Sequence, residues 1–358
     1  MLFLPGLLLV VLAKQWANIF DQPVFWMLIA LLVWVLCAVF FNPGGDADIK
    51  RWLRLCLQII VFVLTVSIVL HQERFFAGAL IAGAAVAMVC AWLSLCQNYF
   101  IEGRSLAYRV SRLESSGISG VADFGNAILA ALFYAAMLIL SVGLWSRIKK
   151  GWRFSWLLGI CGLGIAVYAT YSRGVWIALG AALLFYWALT LSRQYFICLL
   201  GVIVAGAFAV LLVSPGMIVK GFLNLNYREE IWQYALEELN HGWFWGVGPA
   251  APFSACVEVL SRCFNQAHSL YLQFMFNFGM IGLAVLGALL ISLLFVAWRH
   301  RGDDRALIAL SLLVFALVAG VASYSELFSR PGLVWMFFWL PVGMLLGVGV
   351  LAKRQEAA

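Results

Sequence analysis

Long apolar runs separated by short polar breaks recur along nearly the whole chain. Runs near 24–41, 55–70, 75–97, 124–145, 154–171, 174–192, 195–213, 270–298, 306–322 and 332–351 each approach the ~20 residues with which a helix crosses a bilayer. A further segment, "LFLPGLLLVVLA" at 2–13, is shorter, holds Pro5 and is followed by Lys14. It spans only if it continues to about Phe20 with the lysine snorkelling to the surface. It lacks the basic start and small-residue cleavage site of a secretory signal. The pattern predicts an all-α polytopic membrane protein with about eleven transmembrane helices.

One polar break is much longer than the rest. Residues 214–267 form a loop inserted between spans, so 1–358 reads as a single membrane domain, without internal repeat or second domain. Within the loop, "NYREEIWQYALEEL" at 226–239 has helical periodicity, with Ile231, Trp232, Ala235, Leu236 and Leu239 on one face. Asn226 is placed to cap it and Glu229 falls at the third helical position. The following "HGWFWGVGPAAP" brings Gly and Pro breaks, with Trp243, Phe244 and Trp245 suited to a membrane interface.

Composition agrees with the pattern: 65% of the 358 residues are hydrophobic and 11% charged, which excludes an ordinary soluble domain. The net charge of +7 does not point to nucleic acid, because excess Lys and Arg in such a chain mostly record orientation. In the second half, positive charge gathers in alternate connections around Arg147, Lys149, Lys150, Arg153, Arg193, Arg299, Arg301, Arg305, Lys353 and Arg354, against Arg173 and Arg330 in the others. The first set is expected in the cytoplasm, which puts 214–267 on the outer face. The first half conflicts, since the same alternation leaves Lys50, Arg51, Arg54, Arg104, Arg109 and Arg112 outside and Arg74 inside. Either one helix is miscounted or the outer arginines bind something.

The chain has eight cysteines and no CxxC spacing. Six lie in or beside spans and read as small apolar packing residues. Cys256 and Cys263 instead share the outer loop, where an oxidising compartment permits a disulfide; two free thiols are the alternative.

The candidate chemistry is confined to a few polar outliers. His268 stands in "FNQAHSLYLQ" at the start of an apolar run, where the positive end of a helix dipole disfavours imidazolium and leaves a ring able to accept a proton. An interfacial histidine bonded only to the loop gives the same sequence. Arg173 in "YATYSRGVW" interrupts two apolar runs on the face where cations are disfavoured, and charges at membrane depth are usually functional. Arg228 lies in the first turn of the loop helix, against the macrodipole, where a guanidinium and free amides together make an anion site. Arg112 in "SRLESSGISG" and Arg330 in "ELFSRPG" fall on the same face. No cluster of carboxylates, histidines or cysteines suggests a metal, and no cofactor motif is evident. A ring of cations around one histidine points to a large anion reached from within the membrane, most simply a lipid-linked diphosphate.

The series "SRLESSGISGVADFGNAIL", "YSRGVW", "YREEIWQYALEEL", "GWFWGVG" and "NQAHSLYLQFMFNFGMIGL", in this order, resembles the O-antigen ligase and polymerase superfamily of bacterial inner-membrane glycan transferases. The resemblance runs from about residue 50 to the C-terminus. It implies a metal-independent reaction without cofactor, using an undecaprenyl-diphosphate glycan as donor and a lipid A-core sugar as acceptor. The protein is then expected in the inner membrane with its site facing the periplasm. By position, His268 takes the family's catalytic histidine, Arg173 and Arg228 the diphosphate-binding arginines, and Arg112 and Arg330 fall near further basic positions. The family has twelve spans with both ends cytoplasmic, one more than the eleven found here. A polymerase using a second lipid-linked repeat as acceptor shares the same residues, and a transporter is the reading from another class.

Overall fold

The computed structural model describes residues 6, 16–41, 48–105, 111–194, 227–240, 242–257 and 261–357. The expected span at 2–13, the expected span at 195–213, the loop start at 214–226 with Asn226, and Arg109 lie outside the described residues.

The chain is an all-α polytopic membrane protein. Helix α1 (Trp16–Phe20) leads into α2 (Pro23–Phe41), α3 (Ile49–Val69) and α4 (Glu73–Leu95), which continues through a π-helical turn, Cys96–Ile101. Then come α5 (Ala127–Gly143), α6 (Arg153–Ala169), α7 (Arg173–Thr190) and the loop helix α8 (Arg228–Leu239). Two short strands, β1 (Ala255–Val257) and β2 (Arg262–Phe264), precede α9 (Leu270–Arg299) and α10 (Asp304–Gly320). A second π-helical turn, Trp335–Trp339, opens into α11 (Leu340–Ala357). Seven of the described helical segments are long and apolar enough to cross a membrane. With the 17-residue α5 and α10 they correspond to nine of the expected runs.

Helix starts follow from local chemistry. The Asp48 carboxylate accepts the first amides of α3, the Asn126 side chain does the same for α5, and Asp303 for α10. The tightest helix pairs are α10 on α7, α9 on α2, α11 on α3, and α6 on α4 and α5. In lipid such pairs gain little from apolar burial alone, so close approach of small residues matters. Gly343 and Gly347, one turn apart on α11, face α3: a Cβ on Gly343 would fall 2.7 Å from Val66 Cβ, and one on Gly347 2.9 Å from the Ser67 carbonyl.

The starts of α3, α7 and α9 gather on one face with loop residues 242–257 and 261–269 and the 321–334 connection. The opposite face carries the ion pairs Arg147–Glu73 (2.8 Å), Arg305–Asp303 (2.6 Å) and Lys353–Asp21 (3.2 Å).

Helix α9 is not continuous, although its sequence reads as one uninterrupted apolar run. Gly279 has φ 65° and ψ −172°, a backbone region open essentially to glycine alone. The loop turn after α8 plugs the break. Met280 N–H donates to the Trp243 carbonyl (3.0 Å), Ile281 N–H to the Phe244 carbonyl (3.3 Å), and Val247 N–H to the Phe276 carbonyl (2.7 Å). The Phe278 carbonyl accepts the Trp34 indole N–H from α2 at 3.0 Å, and Trp34 stacks on Trp245 with ring centres 5.6 Å apart. Backbone groups freed by the break are thus satisfied inside the protein, as hydrocarbon surroundings require. A Cβ at Gly279 would collide with the Phe244 carbonyl and the Gly246 nitrogen, and one at Gly246 would meet the Asn277 carbonyl at 2.7 Å.

Candidate active site

His268 lies between β2 and α9, one residue before the N-cap. Ser269 is the cap and Leu270 the first helical residue, so His268 is not among the first helical amides as its sequence position suggested. Its pKa is lowered from 6.5 by burial first, then by the charges of Arg228 and Arg262. Neighbouring cations therefore supplement burial in keeping the ring neutral.

Its backbone is held from two sides. Ala267 N–H donates to Gln273 Oε1 of α9 (2.9 Å), and the Ala267 carbonyl accepts the Trp232 indole N–H of α8 (3.0 Å). The ring meets Phe264 edge to face at 5.7 Å, and the Arg262 guanidinium lies 5.3 Å over the same phenyl. Phe264 and Arg262 belong to the β1–β2 hairpin, in which Cys256 pairs with Cys263 across the strands and the structure joins them in a disulfide.

Helix α8 packs through Ile231, Ala235 and Leu239, all buried, while Trp232 is half-buried. Leu236, expected on the same face, is 46% exposed. The buried face follows i, i+4 and i+8, because Phe253, Ala255, Ala267 and Phe276 make a small core beneath Ile231 and Ala235. Tyr227, in a left-handed conformation, occupies the N-cap position in place of the expected Asn226 and offers no side-chain cap.

Arg228 and Arg173 are the first residues of α8 and α7, so each guanidinium rises from the positive end of a helix. The pKa of Arg228 is lowered by burial and then by the charge of Arg173. Both effects oppose its cation, and an arginine cannot escape by losing its proton. Left-handed backbone at non-glycine residues marks strained positions, and here Tyr171 (φ 52°) lies two residues before Arg173, Tyr227 (φ 62°) immediately before Arg228, and His268 (φ 50°) is itself such a position.

Arg112 joins this group through the backbone. Its Nε–H donates to the Thr170 carbonyl (2.9 Å), and Leu113 N–H donates to the Ala169 carbonyl (3.0 Å). It is therefore tied to the turn that ends α6 and presents Arg173. Arg330 is exposed in the connection after α10, and no hydrogen bond or ion pair holds its side chain among the described residues. The structure brings His268, Arg228 and Arg173 together, ties Arg112 beside them, and leaves Arg330 at the rim.

Residues 157–287 match the family model described as O-antigen ligase. That span contains Arg173, Arg228 and His268. Over that span the chain is similar to the O-antigen ligase family. An O-antigen ligase of Pseudomonas aeruginosa is 28% identical over 236 residues, covering 65% of this chain and 57% of that relative.

Within the O-antigen ligase match, the structure adds contacts to His268 that the sequence did not show. Arg262 acts electrostatically on His268, and Gln273 and Trp232 fix the peptide before it. Gln273 stands in the quoted "HSLYLQ" series, but its partner, the Ala267 amide, is set by the chain reversal at Ser269. Outside the O-antigen ligase match, Glu326 reaches this loop, its Oε1 accepting from Gln266 Nε2 at 3.3 Å. In isolation it reads as one more loop carboxylate.

Proposed function

We propose that the chain is a glycosyltransferase of the inner membrane. It moves an O-antigen-type glycan from undecaprenyl diphosphate to a sugar hydroxyl of lipid A-core on the periplasmic face. The observation that carries this reading is the pairing of two half-buried guanidinium groups at helix N-termini, Arg173 acting against the cation of Arg228, with a histidine beside them whose protonation is disfavoured. An anion between Arg173 and Arg228 relieves both. Guanidinium forks suit the oxygens of a diphosphate, and the remaining base suits a hydroxyl.

In this mechanism the acceptor hydroxyl gives its proton to the neutral imidazole of His268 as its oxygen attacks the anomeric carbon. The bond from that carbon to the diphosphate oxygen breaks, and the bonding pair leaves with undecaprenyl diphosphate. Arg173 and Arg228 hold the charge that develops there, taking the role that a metal ion fills in other phosphate chemistry. The imidazolium later returns its proton to water. A single displacement inverts the anomeric configuration.

The test is transfer in vitro from a purified undecaprenyl-diphosphate glycan to lipid A-core, with donor affinity measured separately. His268→Ala lowers transfer by ~10²–10⁴-fold with donor binding retained, the usual contribution of a positioned base. Arg173→Ala and Arg228→Ala weaken donor binding, and lysine at either place restores it in part, because charge returns without the fork. Chelators leave all of these proteins unchanged. Wild-type transfer by a folded His268→Ala protein removes the base assignment, and loss of activity to a chelator with recovery on adding a divalent ion removes the arginine-held leaving group.

A further inference from the structure

A second polar pocket opens on the loop-bearing face, between the start of α3, the first half of α9 and the connection after α10. Its volume is about 310 Å³, at the small end for ligand sites and suited to one ring rather than a chain. Its wall is aromatic: Trp52 and Phe328 lie with ring centres 6.3 Å apart and tilted by 48°, over the buried Phe274 and Phe278. Its polar groups are Asp48, Arg51 and Glu326, all exposed, the half-buried Asn277, and Ser325, which is 5% exposed.

One of these groups is buried and left wanting a partner. Ser325 Oγ is buried and makes no hydrogen bond. Such a hydroxyl costs free energy unless something fills its site, and each one in a native protein calls for an explanation. Asn277 Oδ1 accepts from Gln273 Nε2 (3.2 Å), and its amide nitrogen has no protein partner among the described residues. The pocket also communicates with the candidate active site. Gln266, two residues before His268, donates to Glu326, and Gln273 bonds both Asn277 and the Ala267 amide.

An aromatic wall facing a carboxyl, an amide and a hydroxyl is complementary to a pyranose, which presents C–H groups on its face and hydroxyls at its edge. We infer that this pocket is a sugar-binding subsite that seats one pyranose ring next to the reacting centre, with Glu326 and Asn277 gripping its hydroxyls and Ser325 reading one at the pocket floor. This rests on the glycosyl-transfer reading and deepens it by assigning a recognition element. Partial burial of the Glu326 carboxyl raises its pKa and the Arg51 charge opposes this. A site that bonds a hydroxyl rejects sugars lacking it far more strongly than an apolar pocket rejects a change of size. The ring can come from either glycan, the acceptor core or the repeat next to the diphosphate.

The experiment measures equilibrium binding to the full chain in lipid nanodiscs, by saturation-transfer NMR and calorimetry. The two probes are core oligosaccharide freed of lipid A and free repeat-unit oligosaccharide; undecaprenyl diphosphate without glycan is the control. One oligosaccharide binds the wild-type protein, and which one does identifies the source of the ring. Ser325→Ala weakens that binding about 3- to 10-fold, the worth of one hydrogen bond, and Glu326→Gln about 10- to 100-fold, as for a charged acceptor. Neither changes binding of undecaprenyl diphosphate. Ser325→Ala leaves thermal stability unchanged or raised, because its hydroxyl gives up no protein partner; a merely structural serine would lower stability and spare binding. If neither oligosaccharide binds, or if both variants bind as wild type does, the subsite is overturned, while the His268 transfer assay still stands or falls alone. If transfer is absent but the variants lose sugar binding, the pocket stands and the transfer chemistry falls.

Discussion

Replacing Gly279 by alanine tests how the loop is fastened to the membrane helices. The backbone at φ 65° and ψ −172° costs an alanine ~1–3 kcal/mol. Its methyl group would also be forced onto the Phe244 carbonyl and the Gly246 nitrogen, and overpacking of this kind adds about 1–3 kcal/mol. If the loop turn withdraws to relieve the clash, the bonds from Met280, Ile281 and Val247 are lost at ~0.5–1.5 kcal/mol each. Strain and withdrawal are alternative responses, so the net loss is about 2–6 kcal/mol rather than their sum. The assay is thermal unfolding of the full chain in nanodiscs, with amide exchange followed at Met280, Ile281 and Val247. The variant should melt well below wild type and exchange these three amides faster, while α10 and α11 keep their protection. Unchanged melting together with unchanged exchange at the three amides would refute the plug.

The remaining predictions concern the site. Since burial and the charges of Arg228 and Arg262 hold the His268 pKa below 6.5, transfer should persist below pH 6.5, and Arg228→Gln should move the acidic limb of kcat/KM upward; an unmoved limb would break the link between the two residues. The same depression means that this group's contribution to stability is complete above pH 6.5 and declines as pH falls through its lower folded value, so acid should destabilise wild type more than His268→Gln. Trp232→Phe keeps the ring but deletes the bond to the Ala267 carbonyl, and should lower kcat several-fold at unchanged donor affinity, on the scale of about 1 kcal/mol. Equal loss in both quantities would argue for general loop collapse. Cys256→Ser should destabilise the hairpin by about 2–3 kcal/mol, as expected for a short closed loop, and peptide mapping of the oxidised wild type should recover the two cysteines linked; free alkylatable thiols at both would exclude the bridge.

The membrane helices were legible in the sequence because unbroken apolar length is a strong and local signal. Arg173, Arg228 and His268 were legible for the converse reason, since isolated polar groups stand out in so apolar a chain. What stayed hidden depends on partners distant in sequence. Gly279 lies in a 30-residue segment with mean hydropathy 2.7 in its most apolar window, and nothing nearby announces that Trp243–Val247 will cap a break there. The exposure of Leu236 likewise follows from packing of Ile231 and Ala235 on Phe253 and Phe276, which periodicity does not show. Glu326 and Ser325 acquire meaning only when the connection after α10 folds against α3 and α9.

The repulsion between Arg173 and Arg228 and the depressed basicity of His268 have a joint consequence for the order of events. In the proposed mechanism Arg228, one of the two cations that supplement burial in suppressing protonation of His268, is also one that a bound diphosphate would neutralise. Arrival of the donor therefore makes the imidazole a stronger base where the acceptor hydroxyl must be activated, and an idle site holds a weaker one. Proton affinity and donor affinity then rise together, so filling the site should draw protons from solution near the histidine's own pKa. On the proposed reaction, the charge of the leaving group would thus raise the basicity of the group that must activate the acceptor, within the limit that burial sets.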